Sequence, residues 1–344
     1  MKQKVTYAAA GVDIDAADEA VRRLAPLARS TFRPEVLSDV GAFGSVVAMP
    51  AGYREPVLVS GNDGAGTKTA IAQTLGRYDT IGIDVVAMCV DDIATLGAEP
   101  LFFLDQITVG RVDPDVIEAV VEGLAAGCRM AGCALTGGEI AEHPDLMAPD
   151  DVDVAGFAVG VAERDALPSP SQVRPGDVLV GLGSPGLRAN GYSLVRRVLL
   201  DGRDLDEPAW PGAASSLGDE LLRPSVVYAP TVLAAFRELD VHGAAHVTGG
   251  GLAANLQRVL PPIVDGLITR GSWEVPPIFD LVAREGPVGQ PEMERVFNLG
   301  IGMVVIVPGD QADAVIELAA GRDHPAWVIG RVVEGQGRVG MMDR

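Results

Sequence analysis

Ser60-Gly61-Asn62-Asp63-Gly64-Ala65-Gly66-Thr67-Lys68-Thr69 follows the apolar run Val57-Leu58-Val59 and packs three glycines, a carboxylate and a lysine into ten residues. Glycine admits positive φ and lets amide donors approach an anion, a carboxylate can hold a divalent cation, and a lysine can neutralise phosphate. These are the groups a nucleoside triphosphate needs. The spacing matches neither Gly-x-x-x-x-Gly-Lys-Ser/Thr nor Gly-x-Gly-x-x-Gly. By itself the stretch therefore also reads as a glycine turn after a strand.

The chain around it has 344 residues, which predicts two domains at roughly 150 residues each. Apolar residues make up 48% and charged residues 22%, the composition of a folded chain. A net charge of −20 disfavours nucleic acid and anionic membranes as partners, so a phosphate-bearing ligand must be captured by local donors and metal ions. The amino terminus, Met1 to Tyr7, carries two lysines with no apolar signal core behind them, and no apolar run approaches a membrane span. Cys89, Cys128 and Cys133 are odd in number and lack metal-ligand spacing, which predicts buried thiols and a reduced cytoplasm.

Ala10 to Asp15, small and acidic, reads as a mobile arm before a helix over about 17–29, and a strand is expected to end near Met49. Thr80 can cap a helix from about Ile81 to Leu96, within which Asp84 and Asp91 fall two turns apart on one face. Leu101 to Val109 reads as a buried strand carrying Asp105, and Asp113-Pro114 as a cap and first-turn proline for a helix running to about Gly132. Gly137-Gly138-Glu139 breaks a short strand over 133–136, and another strand spans 152–161. After a linker over 167–171, a strand at 176–180 runs into a glycine-rich elbow, 181–191. Helices are expected at 192–200, 229–239, 252–259 and 310–320, and strands at 302–307 and 327–332. Mixed order in both halves predicts two α+β domains, 1–168 and 169–344.

Asp91-Asp92, Asp105 and Glu139 stand at or near ends of apolar elements, where oxygen ligands for magnesium-ATP would be useful. Internal acids in an apolar helix are costly without partners. In the second half, Asn190-Gly191-Tyr192-Ser193 and His246-Val247-Thr248-Gly249-Gly250-Gly251 each join a glycine turn to a helix start, a place where free amides bind phosphate.

Taken together, these segments resemble the phosphoribosylformylglycinamidine cyclo-ligase (aminoimidazole ribonucleotide synthetase) family over nearly the whole chain. Carrying it are Ala10 to Ile14, Arg33-Pro34-Glu35-Val36, Tyr53 to Ser60, Asp63 to Lys68, Asp79 to Asp84 and Gly97 to Asp105. Gly137-Gly138-Glu139, Asn190 to Arg196, His246 to Gly251 and Glu294 to Asn298 complete the pattern. The resemblance implies a first domain that pairs across a homodimer in a shared β-barrel, and a second α/β domain closing over a ribonucleotide substrate. It implies ATP and Mg2+, with Asp63, Asp92 and Glu139 as metal carboxylates and with Lys68, Asp63 and His246 as catalytic residues. Gly64, Gly66, Thr67, Lys68, Asp92, Gly138 and Glu139 would bind the nucleotide, and Asn190, Ser193, Thr248, Gly249, Gly250 and Asn298 the substrate.

Several positions depart from the pattern. Asn62, Gln106 and Ile140 replace a usual Thr, Tyr and Thr, and Asp145 replaces a Gly. Arg188-Ala189 stands where the family has His and Ser, adding a permanent cation beside the expected substrate elbow. Two readings follow: closure of the imidazole ring of formylglycinamidine ribonucleotide in purine biosynthesis, or a paralogue that phosphorylates a related amide or amidine. A silent binding subunit is the third, disfavoured by the retained carboxylates.

Overall fold

The computed structural model describes residues 6, 7 and 10–344; the lysine-bearing start, Met1 to Val5, lies outside them. Asp13 caps α1 (Ile14–Arg29) by accepting from the Ala16 amide, and its own amide donates to Glu142 at 2.8 Å, so the expected mobile arm is tied down from residue 13 onward. There follow β1 (Pro56–Gly64), α2 (Thr69–Leu75), α3 (Ile81–Ala94), β2 (Glu99–Val109), α4 (Pro114–Ala131), β3 (Ala134–Glu142) and β4 (Val152–Glu163). The second half comprises β5 (Val178–Gly183), α5 (Tyr192–Leu199), α6 (Leu217–Leu222), α7 (Ala229–Glu238), β6 (Gly243–His246), α8 (Gly251–Gln257) and β7 (Val264–Thr269). It ends with α9 (Pro277–Glu285), α10 (Gln290–Val296), β8 (Ile301–Val307), α11 (Ala312–Ala320), β9 (Ala326–Glu334) and β10 (Val339–Met342).

The first half folds into a four-stranded sheet of order β1-β4-β2-β3, the second into a six-stranded sheet of order β10-β7-β9-β5-β8-β6. Among the described residues the first sheet is open and not a closed barrel. Its helix-facing side buries Phe103, Ile107, Val154 and Ala158 against α3 and α4, whereas the other side exposes Leu58 at 59% and Phe157 at 44%. Alternation of side chains along each strand puts these two sets on opposite faces.

Four expectations change. The stretch from Ser60 is not a loop: β1 continues through Gly64, paired with β4 as far as Ala155, and the turn begins only at Gly66. β3 likewise runs through Gly137-Gly138-Glu139, held by its pairing with β2. The strand near Met49 is a single bridge, Val36 to Val47. Thr80 makes no cap bond and its hydroxyl is buried without a partner, while Asp113 and Pro114 do start α4 as expected.

α3 and α4 cross at Gly82 and Gly123. A Cβ on Gly82 would lie 2.1 Å from the Leu124 amide nitrogen. Gly82→Ala removes a poor helix former, worth about 1 kcal/mol in isolation, yet overpacking against backbone costs about 3 kcal/mol. The substitution is expected to lower the urea midpoint, and a raised midpoint would mean that the helices separate freely.

Candidate active site

Asp63, near the end of β1, is half-buried, and its carboxylate accepts from the Gly64 amide at 2.7 Å. Burial pushes its pKa up, the Gly64 amide opposes this, and the nearby Asp92 carboxylate adds to the rise. Asp92 lies in the last turn of α3 with its side chain 43% exposed, and its Oδ1 stands 2.7 Å from Nδ1 of His246 at the end of β6. His246 is buried, and its Nε2 lies 3.9 Å from Oδ2 of Asp91. One imidazole thus bonds an open carboxylate and stands beside a buried one, across the junction of the two halves.

Both acids on the inner face of α3 have found partners. Lys68 is wholly buried: its ammonium contacts Asp84 at 2.6 Å and donates to the Arg223 carbonyl at 2.8 Å, beneath the Tyr192 ring. Burial pushes the lysine's pKa down and Asp84 opposes it. Asp84 further accepts from the Ser225 amide and hydroxyl. Two turns on, Asp91 receives Arg188 at 2.9 Å and the Tyr228 and Ala229 amides at the start of α7. Burial pushes the Asp91 carboxyl up, with His246 and Arg188 pulling it down.

Arg188 is 1% exposed, with a left-handed φ of 63° that turns its side chain inward over the Tyr228 ring. The cation expected beside the substrate elbow is therefore spent inside the protein. The same holds for Lys68, whose buried ammonium does not reach the cleft.

The remaining expected residues divide. Thr67 and Ser193 touch through their hydroxyls at 3.1 Å, linking the first turn after β1 to the start of α5, and both are exposed. Asn190 lies against Met88 and beside Gly249. Asn255, unremarked in the sequence, shapes the 248–251 turn by donating to the Thr248, Gly249 and Gly251 carbonyls. Asn298 is buried and consumed by the Gly186 carbonyl and the Gly300 amide, so it holds a turn and does not face the cleft.

Glu139 and Gly138 stand apart from this cluster. Pairing sets Asp63, Gly156, Asp105 and Gly138 in one row across the sheet, and Gly64, Ala155, Gln106 and Glu139 in the next. With strands about 4.8 Å apart, Glu139 is about 14 Å from Asp63 and on the alternate face. Gly138 and Glu139 instead line a cavity of about 450 Å³ bounded by α1, the 39–45 segment and β2.

Among the described residues no three His, Cys, Asp or Glu side chains are placed to hold a metal by themselves. Magnesium is ordinarily bound by one or two carboxylates together with waters and substrate phosphates, and the Asp63–Asp92 pair fits that manner of binding.

Residues 46–162 match the family described as AIR synthase related protein, N-terminal domain, and residues 174–343 match AIR synthase related protein, C-terminal domain. The chain is 52% identical over 338 residues to a phosphoribosylformylglycinamidine cyclo-ligase of Symbiobacterium thermophilum, covering 96% of each. It is 47% identical over 335 residues to the protein of that name from Geotalea daltonii, covering 97% of this chain and 96% of that one. Among solved structures, thiamine-monophosphate kinase from Stenotrophomonas maltophilia K279a superposes with a TM-score of 0.70 at 21% identity, covering 93% of this chain and 95% of that one. The hydrogenase maturation protein HypE in complex with ATP gives 0.66 at 20%, covering 94% and 91%. Those two share the fold. By its end-to-end match at about half identity, the chain belongs to the phosphoribosylformylglycinamidine cyclo-ligase family.

Proposed function

We propose that the protein is an ATP-dependent cyclo-ligase of purine biosynthesis, converting formylglycinamidine ribonucleotide to aminoimidazole ribonucleotide with release of ADP and phosphate. The observation that carries this reading is identity of 46–52% over about 96% of the chain to proteins named for that activity. The paralogue reading is not favoured. Its motive was a new cation at the substrate elbow, and Arg188 is buried against Asp91.

The formyl oxygen of the substrate is a poor leaving group. Transfer of the γ-phosphoryl group to it makes a good one; the amidine nitrogen then attacks the same carbon and phosphate departs with the oxygen. Positioning and charge neutralisation dominate such a transfer. Magnesium bound by Asp63 and Asp92 would neutralise charge on the phosphate oxygens. His246 fixes Asp92, and we assign Asn190, Ser193 and the turn at Thr248-Gly249-Gly250 to substrate contacts, with Thr67 on the nucleotide side. Gly64 and Gly66 flank the phosphate side, and Gly138 and Glu139 serve the nucleotide in their own cavity. Lys68 serves through Asp84, as part of the junction.

We divide the chain at 168/169. The exposed Leu58 and Phe157 on the uncovered sheet face support a homodimer in which a second copy completes a barrel. No helix among the described residues is long and apolar enough to cross a membrane, and the three buried cysteines are free, which supports a cytoplasmic setting.

Purified protein given magnesium, ATP and formylglycinamidine ribonucleotide is expected to release ADP and aminoimidazole ribonucleotide in equal amounts. ADP without the imidazole would remove the substrate assignment, and no ADP with this substrate would remove the activity.

A further inference from the structure

We infer that Asp105 and Thr136 bind the amino-bearing edge of the adenine base of ATP, in the cavity between α1, the 39–45 segment, β2 and β3. The inference rests on the ATP dependence proposed above and names the residues that recognise the base.

The cavity, at about 450 Å³, is of small-ligand size. Its walls are largely apolar: Val21 and Leu24 from α1, Val121 from α4, and Leu135 and Ile140 from β3. Such walls suit the faces of a flat aromatic ring and offer its edge nothing. Of the polar groups that break them, which also include Asp39, Ser45 and Glu139, two stand out. Thr136 is 4% exposed and its hydroxyl has no partner among the described residues, a costly state for a buried group in a native protein. Asp105 is the other, and among the described residues its carboxyl takes no hydrogen bond or ion pair.

Burial alone pushes the Asp105 pKa up to about 7. Among the described residues no cation stands against it. Of the charged groups around the cavity, Asp39 is engaged by Arg29, and Glu139 is a like charge. Beneath it the Cys128 thiol on α4 is held protonated by burial. A half-buried acid with no cation nearby among the described residues is poised for a neutral donor–acceptor edge. Adenine presents one, an amino group beside a ring nitrogen. The carboxyl oxygen accepts from the amino group, while the Thr136 hydroxyl donates to the ring nitrogen.

Gly138 keeps the acid in place. A Cβ there would stand 2.0 Å from Asp105 Oδ1, so only glycine leaves room for the carboxyl where it points. This gives Gly138 a reason that does not depend on contact with the nucleotide.

The test compares ATP with purine riboside triphosphate, in which hydrogen replaces the 6-amino group, in the full reaction. The unaltered protein is expected to favour ATP by about tenfold to a hundredfold in kcat/KM, chiefly through KM, the size of one or two buried hydrogen bonds. Asp105→Ala should raise KM for ATP and bring the ratio near one, whereas Asp105→Asn, which keeps an acceptor oxygen, should preserve part of it. Thr136→Val should raise KM for both nucleotides alike. Equal use of the two nucleotides by the unaltered protein, or an unchanged ratio in a folded Asp105→Ala, would overturn the inference while leaving the cyclo-ligase reading intact. Absence of turnover with ATP itself would overturn both.

Discussion

Lys68→Ala is expected to destabilise the protein by about 3–5 kcal/mol, the usual cost of leaving one member of a buried ion pair uncompensated. Asp84 would keep its bonds to Ser225 and lose its cation, at a point where neither side chain is reached by water. The Arg223 carbonyl would lose its donor as well. The effect should appear as a fall in the urea midpoint. Pairing it with Asp84→Ala should restore a good part of the loss, since removing both charges leaves nothing unpaired. A Lys68→Ala protein with an unmoved midpoint and no ADP release would return the lysine to the phosphate site.

The second large effect is chemical. Asp92→Asn is expected to lower kcat by about a hundredfold to a thousandfold, in the range seen when one preorganised electrostatic group is removed. Its side chain is 43% exposed at the junction of the two sheets, so the fold should tolerate the change. The amide is isosteric but uncharged: it would weaken both magnesium binding and the grip on His246. The magnesium concentration for half-activation should rise along with the fall in kcat. A variant with the ordinary magnesium response would place the ion elsewhere.

Much of the fold could be read in the sequence because the signals were local. Asp113-Pro114 marked the start of α4, and the 3.6-residue pattern marked α5, α7 and α11 within a residue or two. Several elements were missed, among them α6 and α10, which span six and seven residues, and α9, which spans nine. β1 and β3 were cut short at their glycines because local propensity cannot see a neighbouring strand. For the site, residue type revealed chemistry and concealed direction. Asp92 and His246 do meet, with Asp63 near enough to feel both, whereas Lys68 and Arg188 turn inward because Asp84 and Asp91 lie opposite. Those two acids were visible in the sequence as costly features of an apolar helix. Their partners were 16 and 97 positions away, beyond any periodic pattern.

The two acids on α3 also bear on how this architecture can be exchanged between proteins. Asp84 and Asp91 are satisfied by Ser225, Tyr228 and Ala229 from the second half, and Asp92, the carboxylate of the cleft, is the next residue in the chain. A chimaera taking its second half from a distant fold relative would have to carry the 223–229 segment and Arg188 with the first half. Without them Asp91 would be stranded beside the cleft and Asp84 left with Lys68 alone. The transferable unit is therefore α3 with the segment docked on it, and the boundary where the sheets separate cuts through that unit.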